Sequence, residues 1–332
     1  MKKIAKILIS LTLILAFALT LAACNNPDGN GEAKMPESIN IATLNGTTGF
    51  GMAKLMSDAK NSDSSLKYNI EVQSDAAVIN AALISGELDI ATLPTNAAAN
   101  LYAKTNGKIQ ILAVNTLGML YVVVNEANSD IKTLADLEGK TVYCPAQNPT
   151  FIFKGLCEKA NVNVTVDSTT YAQPADLRTA LVAGQVDIAV LPEPMVTIAK
   201  ANNKSLSVAL DLTAEWDKVF PEGSLMQGCV VARTDFIQQY PEAVEQFLAD
   251  YKVSVNYVNE NTEDAANLIV EAGIFTQAPV AKAAIPNCNI KYIDGKDMAD
   301  ALDVFFGALY GINPQAVGGA VPNADIYYKS ND

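Results

Sequence analysis

A-L-I-S-G-E-L-D-I-A-T-L-P, residues 82–94, returns as A-L-V-A-G-Q-V-D-I-A-V-L-P at residues 180–192, displaced by 98 positions (180 − 82). In each copy an apolar helical stretch ends at a glycine, Gly86 or Gly184, that can take the left-handed cap conformation because no Cβ stands in the way. A short strand follows, residues 89–93 or 187–191, and Pro94 or Pro192 stops it by removing a ladder donor. Identity at Ala, Leu, Gly, Asp, Ile, Ala, Leu and Pro in one register is hard to reach by chance, so the sequence predicts two similar lobes. The repeated carboxylates Asp89 and Asp187 fall at strand starts, where a turn or cap is their better reading.

A chain of 332 residues exceeds one core of common size and fits two α/β domains. Residues 1–23 begin with Lys2, Lys3 and Lys6 and continue as an uncharged apolar run, the shape of a secretory signal. Leu21-Ala22-Ala23-Cys24 then offers a cleavage site that would leave Cys24 to carry lipid; the alternative is a plain signal with an incidental cysteine. Residues 24–36, rich in Asn, Gly and Pro, read as a flexible tether. Removing residues 1–23 leaves 23 − 3 = 20 basic against 36 acidic residues, a net charge of −16 that disfavours nucleic acid as a partner.

From residue 39 strands and helices alternate at βα spacing, which predicts parallel sheets with right-handed crossovers. Residues 120–124, L-Y-V-V-V, read as the strand that leaves the first lobe, and residues 229–232 as the strand that returns. Four later segments, 241–259, 262–272, 278–285 and 297–310, have helical periodicity and are expected to pack on the first lobe. The resulting division is 37–121 with 233–332 as one lobe and 122–232 as the other, two crossings forming a hinge.

The L-A-A-C run, the T-L-A-D-L-E-G-K turn at 133–140, the paired G-x-x-D-I-A corners and Leu191-Pro192-Glu193-Pro194 together resemble a solute-binding lipoprotein of an ABC importer. The group it is similar to covers nitrate, sulfonate, taurine and thiamine-pyrimidine-precursor binders. That resemblance implies a type II periplasmic-binding-protein fold, two doubly wound α/β lobes joined by two crossover strands. It also implies a monomer that captures a small solute between closing lobes, delivers it to a permease with its ATPase, and sits outside the cell membrane on a lipid anchor. An enzyme on the same fold, acting on a pyrimidine-like or aromatic metabolite, is the competing reading. The chain has no histidine, which excludes Ser-His and Cys-His pairs and imidazole metal sites. It has no phosphate-cradling G-x-x-x-x-G-K-[ST] or G-x-G-x-x-G turn either, so no catalytic residue, metal or cofactor is expected.

In open α/β sheets ligands lie beyond the carboxyl ends of the strands. That rule selects Thr47, Thr48, Gly49 and Phe50; Thr95 and Asn96; Asn148, Thr150 and Phe151; and Glu193, with Gln73 and Tyr171 at matching strand ends. For the threonines and asparagines simple N-capping is the alternative, and for the phenylalanines core packing. The symmetric placement of Phe50 and Phe151 suggests an aromatic clamp, and Trp216 reads as a lid contact or a surface anchor. Met226 and Gln227 are weaker candidates. Neither Arg178 nor Arg233 falls on a cleft loop, and no lysine does, whereas Glu193 does. The expected solute is therefore neutral or cationic, and planar. Cys144, Cys157, Cys229 and Cys288 match no zinc spacing and read as buried thiols, with Cys144 and Cys157 the one pair close in sequence.

Overall fold

A computed structural model describes residues 34–330, so the signal segment and Cys24 lie outside the described residues. From Met35 onward the chain is one compact unit. Its strands form two sheets. The first contains β1 (Ile39–Leu44), β2 (Tyr68–Gln73), β3 (Ile90–Pro94), β4 (Ile109–Thr116), β10 (Gly228–Arg233) and β11 (Ile290–Ile293), in the order β11-β4-β10-β3-β1-β2. The second contains β5 (Leu120–Val124), β6 (Thr141–Tyr143), β7 (Thr165–Asp167), β8 (Ile188–Pro192) and β9 (Ser207–Asp211), in the order β7-β6-β8-β5-β9.

The helices of the first half are α1 (Thr47–Phe50), α2 (Ala53–Asn61), α3 (Ala76–Ser85), α4 (Thr95–Thr105), α5 (Asn148–Lys159), α6 (Pro174–Val182) and α7 (Met195–Asn202). Those of the second are α8 (Leu212–Trp216), α9 (Thr234–Gln239), α10 (Pro241–Glu260), α11 (Thr262–Glu271), α12 (Ala278–Ala284) and α13 (Gly295–Ile312).

The duplication seen in the sequence is a duplication of topology. Strand β1 pairs in parallel with β2 and β3 as β6 does with β7 and β8, and in each sheet an antiparallel strand, β10 or β5, lies between β3 or β8 and the next strand outward, β4 or β9, the first sheet adding antiparallel β11 at its edge. Both corner glycines take positive φ, 83° at Gly86 and 70° at Gly184, as the shared sequence requires. Asp89 accepts from Asn40 N–H at 2.9 Å and Arg233 Nη2 at 3.0 Å, and Asp187 accepts from Asn125 Nδ2. The repeated carboxylates are structural ties at strand starts.

Three expectations are corrected. The sheets are mixed rather than parallel. β5 and β10 do not themselves cross between lobes: each is wholly the inserted strand of the sheet it enters, and the crossings are the connectors 117–119 and 225–227 that precede them. The C-terminal region also holds a strand, β11, at the edge of the first sheet, and its last helix, α13, does not stay with the first lobe. It packs on β4 and on α5 of the second lobe, with Phe305, Phe306 and Leu309 in one buried cluster with Ile152, Phe153 and Leu156.

That cluster runs on through Ala91, Leu93 and Val114 of the first sheet and Val122, Val124 and Val190 of the second, so the lobes share apolar core. Trp216 belongs to it. The indole is fully buried, stacks on Phe220 with centroids 4.1 Å apart, meets Phe305 at 5.8 Å and donates from Nε1 to Ser224 Oγ at 2.8 Å. The reading of Trp216 as a lid or surface residue is therefore overturned: its hydrogen-bonding partner lies eight residues on, in the loop that leads to the second crossing. Trp216→Ala should lower the unfolding free energy by about 3–5 kcal/mol through the cavity it leaves. Urea denaturation checks this, and a change within about 0.5 kcal/mol, as for an exposed residue, would contradict it.

Candidate cleft between the lobes

The loops at the carboxyl ends of both sheets meet. Thr47 Oγ1 in α1 donates to the Glu193 carbonyl of the second lobe at 2.9 Å and lies 3.6 Å from Cys288 Sγ. Tyr121 Oη on β5 donates to the Asn287 carbonyl at 2.9 Å. The close turn after β1 depends on Gly49, where a Cβ would stand 2.0 Å from the Leu44 carbonyl oxygen. The Thr48 carbonyl accepts from Asn115 Nδ2 at 3.0 Å, whose second proton reaches Tyr251 Oη at 3.1 Å.

The other predicted residues divide by what their polar atoms do. Thr95 is spent on the second crossing: its N–H donates to the Gln227 carbonyl at 3.2 Å and its hydroxyl to the Met226 carbonyl. Thr150 closes its own turn on the Pro145 carbonyl at 2.7 Å. Gln73 Nε2 donates to Glu71 at 2.9 Å, and Tyr171 Oη to Gln185 at 3.3 Å with its ring 6.0 Å from Tyr143. Asn96 and Asn148 differ from these: the Oδ1 of each is buried and has no partner. They occupy the first turns of α4 and α5, one in each lobe.

The phenylalanines are not a symmetric pair. Phe50 is fully buried and meets Phe275 edge-on at 6.0 Å in the first lobe's core, so it cannot supply one side of a clamp. Phe151 is half-buried against the shared core. Glu193 is buried, and its carboxylate accepts from Thr197 N–H at 3.1 Å and Thr197 Oγ1 at 3.0 Å, capping α7. Burial raises its pKa; the bonds from Thr197 and the charge of Lys200 oppose that rise.

Some residues were missed. Lys200 and Lys204 line a groove of about 600 Å³ with Tyr121 and Glu193 of the second lobe and Ala283 and Asn287 of the first. The expectation that no lysine approaches the cleft is corrected, since α7 carries Lys200 back along the junction a full turn beyond the strand ends that the loop rule inspects. Gly118 was missed too: a Cβ there would lie 2.1 Å from Thr213 Oγ1 and 2.6 Å from Leu225 Cδ2, so only glycine lets the two crossings and α8 pack together. Among the described residues no group of three His, Cys, Asp or Glu could hold a metal ion, and Cys144, Cys157, Cys229 and Cys288 are free and buried.

Residues 62–265, more than half of the chain, match the family described as NMT1/THI5 like. The chain belongs to that family. A putative binding protein of Brucella abortus (strain 2308) is 24% identical over 190 residues, 56% of this chain and 56% of its own, so the chain spans about half the length of the curated relatives it matches. Among solved structures, an ABC transporter protein from Parabacteroides distasonis is 24% identical with a TM-score of 0.75, over 89% of this chain and 100% of that one. The periplasmic aliphatic sulphonate binding protein SsuA from Escherichia coli is 18% identical with a TM-score of 0.70, over 88% and 91%. These likenesses establish the two-lobed α/β fold of periplasmic binding proteins. Among the described residues no helix is long and apolar enough to cross a membrane.

The buried Glu193 carboxyl gives a pH test. Because its folded pKa is raised, its contribution to stability is full below the ordinary carboxylate range and is lost as pH rises through the raised value. Glu193→Gln is neutral throughout, so its stability relative to the unmodified chain should improve as pH rises through and above the ordinary carboxylate range. Urea midpoints at intervals across that range measure it; a difference independent of pH would show that the carboxyl titrates as an exposed one.

Proposed function

We propose that this chain is the extracytoplasmic solute-binding component of an ABC importer, a non-enzymic monomer held to the membrane by lipid on Cys24. Two lobes, divided at the connectors 117–119 and 225–227, close on a small organic solute and present it to a permease driven by its ATPase. The observation that carries this reading is the facing of the strand-end loops of two duplicated sheets across two short crossings, as at Thr47 and Glu193. A pair of lobes on two connectors can rotate with few dihedral changes and enclose a ligand on every side. The binding-protein descriptions of the similar chains support the same assignment.

The solute is small and is not gripped by a guanidinium fork; Lys200 and Lys204 are the cationic side chains along the junction groove. Both arginines are occupied away from the strand-end loops: Arg233 is paired with Asp89 at 3.0 Å and Asp235 at 2.7 Å, and Arg178 lies on α6 against Thr179 and Met195. No guanidinium fork therefore faces the cleft for a carboxylate or sulfonate. Glu193, committed to capping α7, does not demand a cation either.

A thermal-shift panel of uncharged heterocycles, amino acids and sulfonates tests the reading. A solute held at 100 times its Kd should add about 2.7 kcal/mol to the stability of the folded state, raising the midpoint by several degrees. Turnover of a panel compound, or an unshifted midpoint with every one, would contradict it. Cys24→Ser should release the protein from the membrane fraction without lowering its midpoint; persistent membrane association would remove the lipid anchor from the account.

A further inference from the structure

Two hydroxyl groups tie one lobe directly to the other, and both end on backbone carbonyls. Thr47 Oγ1 of the first lobe donates to Glu193 of the second, and Tyr121 Oη of the second donates to Asn287 of the first. The two bonds flank one thiol. Cys288 follows Asn287 in sequence, its Sγ lies 3.6 Å from Thr47 Oγ1, and it is fully buried. The chain beyond it is set by Asn289, which has a left-handed φ of 46°, donates from Nδ2 to the Gly118 carbonyl and accepts from Leu117 N–H at 3.0 Å through its own carbonyl. Asparagine takes that conformation at less cost than most residues, so a sharp turn fits between Cys288 and the start of β11. Asn287 is thereby presented to the second lobe while Asn289 holds to the outgoing crossing.

We infer that Thr47 and Tyr121 form a two-point latch on the closed arrangement of the lobes, with residues 287–289 as the strap it fastens and Cys288 sealed beneath. The latch presupposes the solute-binding reading, in which the lobes move, and names the contacts that the movement breaks at the mouth. One donor comes from each lobe, so a rotation that parts the facing loops breaks both bonds together. Each bond is neutral and has water as a competitor once parted, which makes it worth little on its own and easy to release. Thr47 touches the sulfur, whereas Tyr121 acts on it only through the Asn287 carbonyl, from the other lobe. Opening therefore uncovers a thiol that the latched protein hides.

Cysteine labelling reads the latch without any ligand. The full chain, purified in detergent, is exposed to N-ethylmaleimide; each cysteine is followed by peptide mass spectrometry and its rate divided by that in the unfolded chain. Cys229, buried in β10 of the same lobe, is the reference for global unfolding. The expected result is that Cys288 labels about tenfold or more faster than Cys229, by an opening short of global unfolding. Thr47→Val and Tyr121→Phe should each raise that ratio by a further factor of about two to ten, the range for one neutral hydrogen bond. Asn259→Ala removes a bond inside the first lobe, from Nδ2 to the Ile290 carbonyl at 3.0 Å, and should leave the ratio unchanged. A ratio raised as much by Asn259→Ala as by Tyr121→Phe would mean local fraying of the strap and overturns the latch. A faster Cys288 whose ratio Tyr121→Phe leaves unmoved overturns it too, with the moving lobes still in place. Cys288 labelling no faster than Cys229 in every chain tested removes both.

Discussion

One residue, Gln227, ties the two crossings to each other and to the cleft. Its N–H donates to the Thr116 carbonyl at 3.0 Å, its Oε1 accepts from Met119 N–H at 2.8 Å, and its carbonyl accepts from Thr95 N–H at 3.2 Å. The first bond joins the chain leaving the first lobe to the chain returning to it. The second fixes the middle of the outgoing connector, and the third anchors the start of α4 beside Asn96. Met119 in turn accepts from Glu193 N–H at 3.0 Å, and the Gly118 carbonyl accepts from Asn289 Nδ2. The crossings are therefore a hydrogen-bonded pair in a buried setting, and the relative position of the lobes is set by a handful of polar contacts rather than by strand pairing.

The shared apolar core adds a second constraint. Because α13 lies against α5, with Ile312 Cδ1 2.2 Å from where a Cβ on Gly155 would stand, the lobes cannot separate along this side without exposing Phe153, Phe305 and Phe306. Burial of aromatic area on that scale resists peeling apart, whereas the Thr47 contact at the mouth is a single neutral hydrogen bond of about 1 kcal/mol. Opening is thus cheap at the mouth and costly at α13. If the lobes move as proposed, these constraints place the axis of rotation near the crossings.

Much of the fold was legible because it is written in local chemistry. Gly86 and Gly184 must adopt positive φ for the chain to turn from helix to strand, and Pro94 and Pro192 must end those strands, so the duplication showed itself at the residues least free to vary in role. Long-range placement was not legible. Phe50 and Phe151 look alike from their own neighbourhoods, and only Phe275, 225 positions beyond Phe50, decides that Phe50 is core. Trp216 is decided by Phe305 in the same way. The apolar runs 120–124 and 229–232 were read correctly as strands but assigned the work of crossing, because hydropathy reports burial and carries no information on which neighbour a strand pairs with. At the cleft, the strand-end rule selected Asn96 and Asn148 together with Thr95 and Thr150, whose hydroxyls are consumed by nearby carbonyls, because side-chain partners cannot be read from strand ends alone.

The central claim, that two duplicated lobes move about the paired crossings, is tested most directly by native-state hydrogen exchange at the amides of Leu117, Met119, Glu193 and Gln227. These four donate to Asn289, Gln227, Met119 and Thr116 across the junction. The account expects them to exchange together through an opening well below the free energy of global unfolding, while the central amides of β1 and β8 exchange only by global unfolding. If the four junction amides also exchange only by global unfolding, the crossings are rigid and the lobes do not move as proposed.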